Sequence, residues 1–307
     1  MTSLSIKKRY ADTRNGQMHY RYALPSSPVA PPREVLVFLH KSASSSASYE
    51  KLMTHYATRG HPCFAPDMPG FGGSFDPSPE AVEEIETQGM RWYVTIFVDI
   101  LKQFLASYTN GSGGTSSVHL IGHHAGAALA TEMAAVYPSL VKSVCLVGPS
   151  IMSAGDRARM RDKYIAPFNR PVADGSHLLK TWNYLRDMGI RGGCGPGSGS
   201  DDDDDDERDL YLGLHQREAL DHIRAWKGRN QIYGAIWRQD GEKYLRLIQC
   251  PVMAMCARDD TLWPYFENVQ KVREDVAMVE VKGANFTLDR DVEGIIRDWS
   301  TFILDTL

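Results

Sequence analysis

Two segments near the start of the chain, LSIKKRYADT and QMHYRYAL, alternate apolar and polar residues around a turn at Asn15 and Gly16. A period of two marks strands with one covered face, so this stretch predicts an antiparallel hairpin. The next apolar segment is built differently. VLVFL at 35–39 is a continuous apolar run, as expected of a strand covered on both faces. Runs of the same kind follow at Cys63 (CFAPD), Val118 (VHLIG), Val141 (VKSVCLVG), Cys250 (CPVMAMC) and Ala277 (AMVEVKG). Helical periodicity falls between them, over 49–59, 90–108, 125–137, 265–273 and 292–304. Strands that alternate with helices imply parallel crossovers and an α/β class.

One interval breaks the rhythm. The stretch between the strand ending near Gly148 and the one starting near Pro251 is too long for a single crossover and must hold structure of its own. Residues 1–150 and 244–307 are therefore assigned to a core domain and 151–243 to an insertion over it. The insertion opens helically (AGDRARMRDKY) and contains GGCGPGSGSDDDDDDERD at 192–209. Glycine, serine and six consecutive aspartates cannot build a core, so 192–209 is expected to be a disordered surface loop; a homopolymeric acidic run is solvated rather than a calcium site. Further on, Trp226, Tyr233, Ile236 and Trp237 recur at near-helical spacing. This stripe packs a helix onto the core, or roofs a pocket, or does both.

The composition narrows the function classes. The chain has 307 residues, 43% of them hydrophobic and 23% charged, with a net charge of −4. That charge offers no basic field for nucleic acid, and a small molecule becomes the expected ligand. No segment approaches the ~18 apolar residues of a membrane helix, and the start lacks the apolar core of a signal peptide. Five scattered cysteines, Cys63, Cys145, Cys194, Cys250 and Cys256, suggest no disulfide framework. A cytoplasmic location and no membrane partner are expected.

Four stretches together resemble the α/β-hydrolase superfamily, over nearly the full chain. VLVFLHKSASSSASYEKL sits where that family has a strand, His-Gly and the oxyanion loop. PDMPGFGGS resembles its D-x-P-G-x-G-x-S loop, LIGHHAG its nucleophile elbow, and CPVMAMCARDDTLWP the strand and loop that present the acid. The resemblance implies a mostly parallel sheet with helices on both faces and a helical lid insertion. It also exposes departures. In the elbow the GxSxG serine is replaced by His124; the His-Gly pair is His40 followed by Lys41; and the family's G-x-x-H-F has no histidine, with Asn285 or Phe286 near its place. Matching from Cys250 puts the family aspartate at Asp260, with Asp259 the lesser candidate.

Without a serine Oγ at the elbow there is no alkoxide to make, and an acyl-enzyme at that position is excluded. The serines at Ser42, Ser44, Ser45, Ser46 and Ser48 lie on a loop after a strand, where serine serves turn chemistry. An imidazole at 124 projects into the space that Oγ and part of the triad histidine would share, so it is expected to meet Asp260. A histidine oriented by a carboxylate has a fixed tautomer, as a general base needs. The backbone N–H groups of Ala125 and Ser42 are expected to form the anion site, with His40, Lys41, His123 and Trp237 contacting substrate. The expected activity is acid–base chemistry on a small apolar carbonyl compound, without metal or cofactor: cyclisation, C–C or C–O lyase action, or water-mediated hydrolysis, of the kind found in tailoring enzymes of secondary metabolism. A hydrolase-like small-molecule binding protein and an inactive pseudoenzyme stay open as alternatives.

Overall fold

The computed structural model describes residues 5–25, 33–109, 117–190 and 205–305. Strands β1 (Lys7–Thr13) and β2 (Gly16–Ala23) form the expected antiparallel hairpin. Then come β3 (Val35–Leu39), α1 (Glu50–Ala57), β4 (Cys63–Pro66), α2 (Pro79–Gln88), α3 (Met90–Thr109), β5 (Val118–His123), α4 (Ala125–Val136) and β6 (Val141–Val147). Helices α5 (Ala154–Tyr164), α6 (Ser176–Asp187), α7 (Asp205–Arg224), α8 (Gly228–Arg238) and α9 (Gly241–Leu247) lie between β6 and the next strand. The chain returns with β7 (Val252–Ala257), α10 (Phe266–Val272), β8 (Ala277–Val281), α11 (Thr287–Arg290) and α12 (Val292–Asp305).

Eight strands form one sheet in the order β1-β2-β4-β3-β5-β6-β7-β8, parallel from β4 onward. Strand β3 shows why a continuous apolar run was needed. Val35, Val37 and Leu39 enter the cluster under α3 and α4, while Leu36 and Phe38 enter the one under α1 and α12. On that second face Phe38 meets the edge of Trp299 at 5.8 Å, and Tyr56 meets it at 4.9 Å. Each such fully buried side chain contributes about 1.5–3 kcal/mol. Strand order reverses at β3 and β5, and a crevice opens at the carboxyl ends of the strands flanking such a switch point. The loop after β3 and the turn after β5 are the two walls of that crevice.

Two expectations change. Helix α2 went unread, although Ser78 caps it and Pro79 occupies its first turn. The acidic segment 192–209 lies outside the described residues up to 204, but from Asp205 onward the chain is helical rather than loop. Among the described residues no helix is long and apolar enough to cross a membrane. Cys63, Cys145, Cys250 and Cys256 are free thiols.

Candidate functional site

The turn from β5 into α4 is bracketed by glycines for a steric reason. A Cβ on Gly126 would lie 1.9 Å from the Leu39 carbonyl oxygen, so β3 and α4 can approach only over a bare backbone. Between them His124 is held at φ 47°, ψ −104°. Such a conformation in a non-glycine residue costs about 1–3 kcal/mol and is kept where the surroundings enforce it. It turns the imidazole out of the sheet into the crevice.

There Nε2 of His124 lies 2.8 Å from Oδ2 of Asp260. The other carboxylate oxygen accepts the Leu262 N–H at 2.7 Å, which fixes the aspartate on the loop after β7. Asp259 points elsewhere, accepting the Ala284 N–H at 3.1 Å. Gly148, at the end of β6, makes the pair possible. It sits at φ +59°, and a Cβ there would lie 2.3 Å from His124 Cδ2.

His124 opens onto a partly open cavity whose wall includes Ala125, Ser42, Lys41 and Trp237. No acceptor among the described residues takes the backbone N–H of Ala125 or Ser42. The Ser42 hydroxyl is sealed without a partner. The remaining wall is largely apolar: Met160, Leu185, Met188, Ile236, Leu262 and Phe286. Tyr233, Ile236 and Trp237 of the aromatic stripe reach the cavity, whereas Trp226 does not.

Two expected contact residues stand elsewhere. His40 is fully buried, with Nδ1–H donating to the Lys41 carbonyl and Nε2 accepting the Met68 N–H at 2.9 Å. It braces the loop after β4 instead of meeting the cavity. His123 is buried behind the elbow and absent from the wall, because side chains alternate along β5 and only the next residue turns outward. Its ring stands edge-on to His124 at 4.4 Å, and burial, then His124 and Lys41, hold its pKa far below the usual histidine range. His123, His124 and Asp260 offer ligand atoms within 4.8 Å of one another. Nε2 of His124 and Oδ2 of Asp260 are engaged with each other at 2.8 Å, and the Lys41 cation acts on the same histidine pair.

Lys41 reaches across the cavity floor. Its Nζ is 3.0 Å from Glu218 Oε2 on α7, donates to the Asn285 carbonyl at 3.0 Å and lies 3.8 Å from the Phe286 ring centre. Burial opposes ionisation of Glu218, but the Lys41 and Arg217 cations outweigh it and hold the carboxyl down to about 2. The serine-rich loop feeds the same junction: Ser44 Oγ donates to Glu218 and Ser45 Oγ to Asp221, each at 2.9 Å. Asn285, near the place of the missing family histidine, accepts from Thr261 through Oδ1 and donates to the Met188 carbonyl at 3.1 Å. That position now ties the acid loop to the insertion.

Sequence reasoning missed Gly148, His222, Tyr164 and Tyr184. The last three line the cavity from helices whose register could not be read without the tertiary contacts. Gly148 carried a signal, a lone glycine closing an apolar strand.

A family model described as alpha/beta hydrolase fold matches residues 34–285. By sequence the chain matches none of the curated proteins. Among solved structures it is similar to an epoxide hydrolase from Vigna radiata, with 17% identity, 98% of each chain covered and a TM-score of 0.67. E-2-(acetamidomethylene)succinate hydrolase follows at 20% identity and TM-score 0.64, covering 97% of this chain and 99% of that one. An N-acyl homoserine lactonase complexed with N-hexanoyl homoserine lactone has 17% identity and TM-score 0.67, with 98% of each chain covered. At such identities the structures speak for the fold alone. The eight-stranded order, the strained turn after β5 and the matched family model lead to one conclusion: the chain belongs to the α/β-hydrolase fold family.

Proposed function

We propose that this protein is an enzyme that uses His124 and Asp260 for acid–base chemistry on a small apolar carbonyl compound, with no serine nucleophile. The observation that carries the reading is the 2.8 Å contact between His124 Nε2 and Asp260 Oδ2 at the wall of the cavity. A carboxylate accepts and does not donate, so Nε2 carries the proton and Nδ1 presents a bare lone pair. That nitrogen is the base. The free N–H groups of Ala125 and Ser42 are placed to take the charge that develops on the carbonyl oxygen when a neighbouring proton leaves. Asp260 stabilises the imidazolium that results, and the apolar wall excludes competing water. Enolate formation of this kind serves cyclisation and lyase reactions; with a water in place of the C–H, the same base serves hydrolysis. Helices α5 to α8 act as the lid of the site.

Deuterium exchange next to the carbonyl, followed by mass spectrometry on a panel of apolar ketones in heavy water, tests this reading. His124→Ala and Asp260→Asn should each slow exchange by about 10²–10⁴-fold. The double variant should be little slower than the more impaired single one, because the two act as a unit. Full activity in His124→Ala, or losses that multiply, would put the chemistry elsewhere. His124→Ser restores GxSxG without a base and should stay inactive as an esterase.

A further inference from the structure

The cavity has a second polar end that the dyad does not use. His222, on α7, is buried, and its Nδ1 lies 2.8 Å from the Glu218 carbonyl. A carbonyl only accepts, so Nδ1 carries the proton and Nε2 is a bare acceptor. The ring lines the cavity, and Nε2 has no hydrogen-bond partner among the described residues. Its backbone is pinned by Asn169, whose Nδ2 donates to the His222 carbonyl at 2.7 Å. Tyr184 of α6 stands beside it, the two ring centres 6.0 Å apart. A neutral tyrosine keeps an O–H to donate, and the nearby Arg229 cation, itself only a donor, cannot accept it.

We infer that His222 and Tyr184 form a subsite for a hydroxyl group, which narrows the substrate class to hydroxylated carbonyl compounds. A hydroxyl is at once donor and acceptor, and it matches a bare nitrogen and an O–H carried by two residues of the same cavity wall. A carboxylate would set lone pairs against the Nε2 lone pair, and a ketone oxygen would leave that nitrogen unpaired. The protonation states hold across ordinary pH. Burial is the main cause in both cases, pushing His222 down to about 4 and the Tyr184 hydroxyl up to about 12.

The narrowing rests on the carbonyl being handled at His124, so the test separates the two. Benzylacetone and its para-hydroxy derivative differ by one hydroxyl, and Trp237 on the cavity wall provides a fluorescence reporter for equilibrium titration. The full-length protein should bind the para-hydroxy ketone about tenfold more tightly, the worth of a good buried hydrogen bond. Tyr184→Phe and His222→Leu should bring the ratio close to one, with a smaller change in the affinity for benzylacetone than for its para-hydroxy derivative. His222→Gln, which keeps an acceptor, should retain part of the preference; if the leucine variant does not fold, Tyr184→Phe decides. Equal affinity in the unmodified protein, no binding of either ketone, or a preference that survives in the folded variants overturns the subsite. In His124→Ala the preference should persist, so a failed dyad leaves this result standing and a failed subsite leaves the dyad untouched.

Discussion

Two nitrogen–carboxylate pairs face the same cavity, and they differ in what they leave over. Lys41 and Glu218 lie 3.0 Å apart; the lysine also holds the Asn285 carbonyl and the Phe286 face, while the glutamate also takes Arg217 and Ser44. His124 and Asp260 lie 2.8 Å apart, yet the histidine is strained, and one of its nitrogens meets no partner among the described residues. A buried pair tied to several other groups fixes geometry, whereas a pair with a lone nitrogen in a costly conformation is suited to chemistry. The first pair joins the loop after β3 to the insertion, and the second sets an imidazole at the cavity wall.

The largest effect that would break this contrast concerns stability. Removing one partner of the Lys41–Glu218 pair leaves a buried charge without its counterpart, so Lys41→Met or Glu218→Leu should cost about 3–5 kcal/mol in chemical denaturation. The double variant, Lys41→Met with Glu218→Leu, should cost less than the sum. His124→Ala and Asp260→Asn, by the same measurement, should shift stability far less than they shift activity. If the rankings of the two pairs were exchanged, the division of labour would be wrong.

A smaller effect sharpens the geometry. Gly148→Ala places a methyl group against the His124 ring from a left-handed backbone position. A stability loss of about 1 kcal/mol is expected from the backbone alone. Activity should fall further than that loss explains, because the ring is pushed from Asp260. Unchanged exchange rates would show that the 2.8 Å contact is not needed.

The smallest effect is a slope with pH at the junction around Glu218. Burial, then the charge of Glu218, raises Asp221 from 3.8 to about 7, against the hydrogen bond from Ser45 and the cation Arg217; Asp67 adds to the rise. With the folded value above the unfolded one, the native state binds more protons between them. The contribution is therefore complete below the lower value and is lost as pH rises toward the upper. The neighbouring His222, with a lowered value, has the opposite sign, so the comparison must be between variants. The melting temperature of Asp221→Asn relative to the unmodified protein should climb from pH 4 to pH 7, as expected for an acid raised to about 7. A constant difference would remove Asp221 from the account.

Legibility in the sequence followed the range of the interactions. Strands buried on both faces wrote themselves as continuous apolar runs, and the elbow kept its glycines because Gly122 and Gly126 have backbone atoms where a side chain would go. The choice of Asp260 over Asp259 came from matching along β7; Asp260 meets His124, and Asp259 takes the Ala284 N–H. What stayed hidden was long-range. Nothing local to His40 distinguishes a brace from a contact residue, and nothing near Lys41 announces Glu218. The serines after β3 read as turn chemistry, yet Ser44 and Ser45 hold acidic side chains of α7. His222 was invisible because its meaning depends on a carbonyl one turn earlier and a tyrosine on another helix.

The central claim is that Asp260 fixes the tautomer of His124 and leaves Nδ1 as the base. Nitrogen-15 correlation spectra of the imidazole test it without any substrate. A ring protonated at Nε2 and bare at Nδ1 is expected, with that preference lost in Asp260→Asn. A ring protonated at Nδ1, or one indifferent to the Asp260→Asn change, would contradict it.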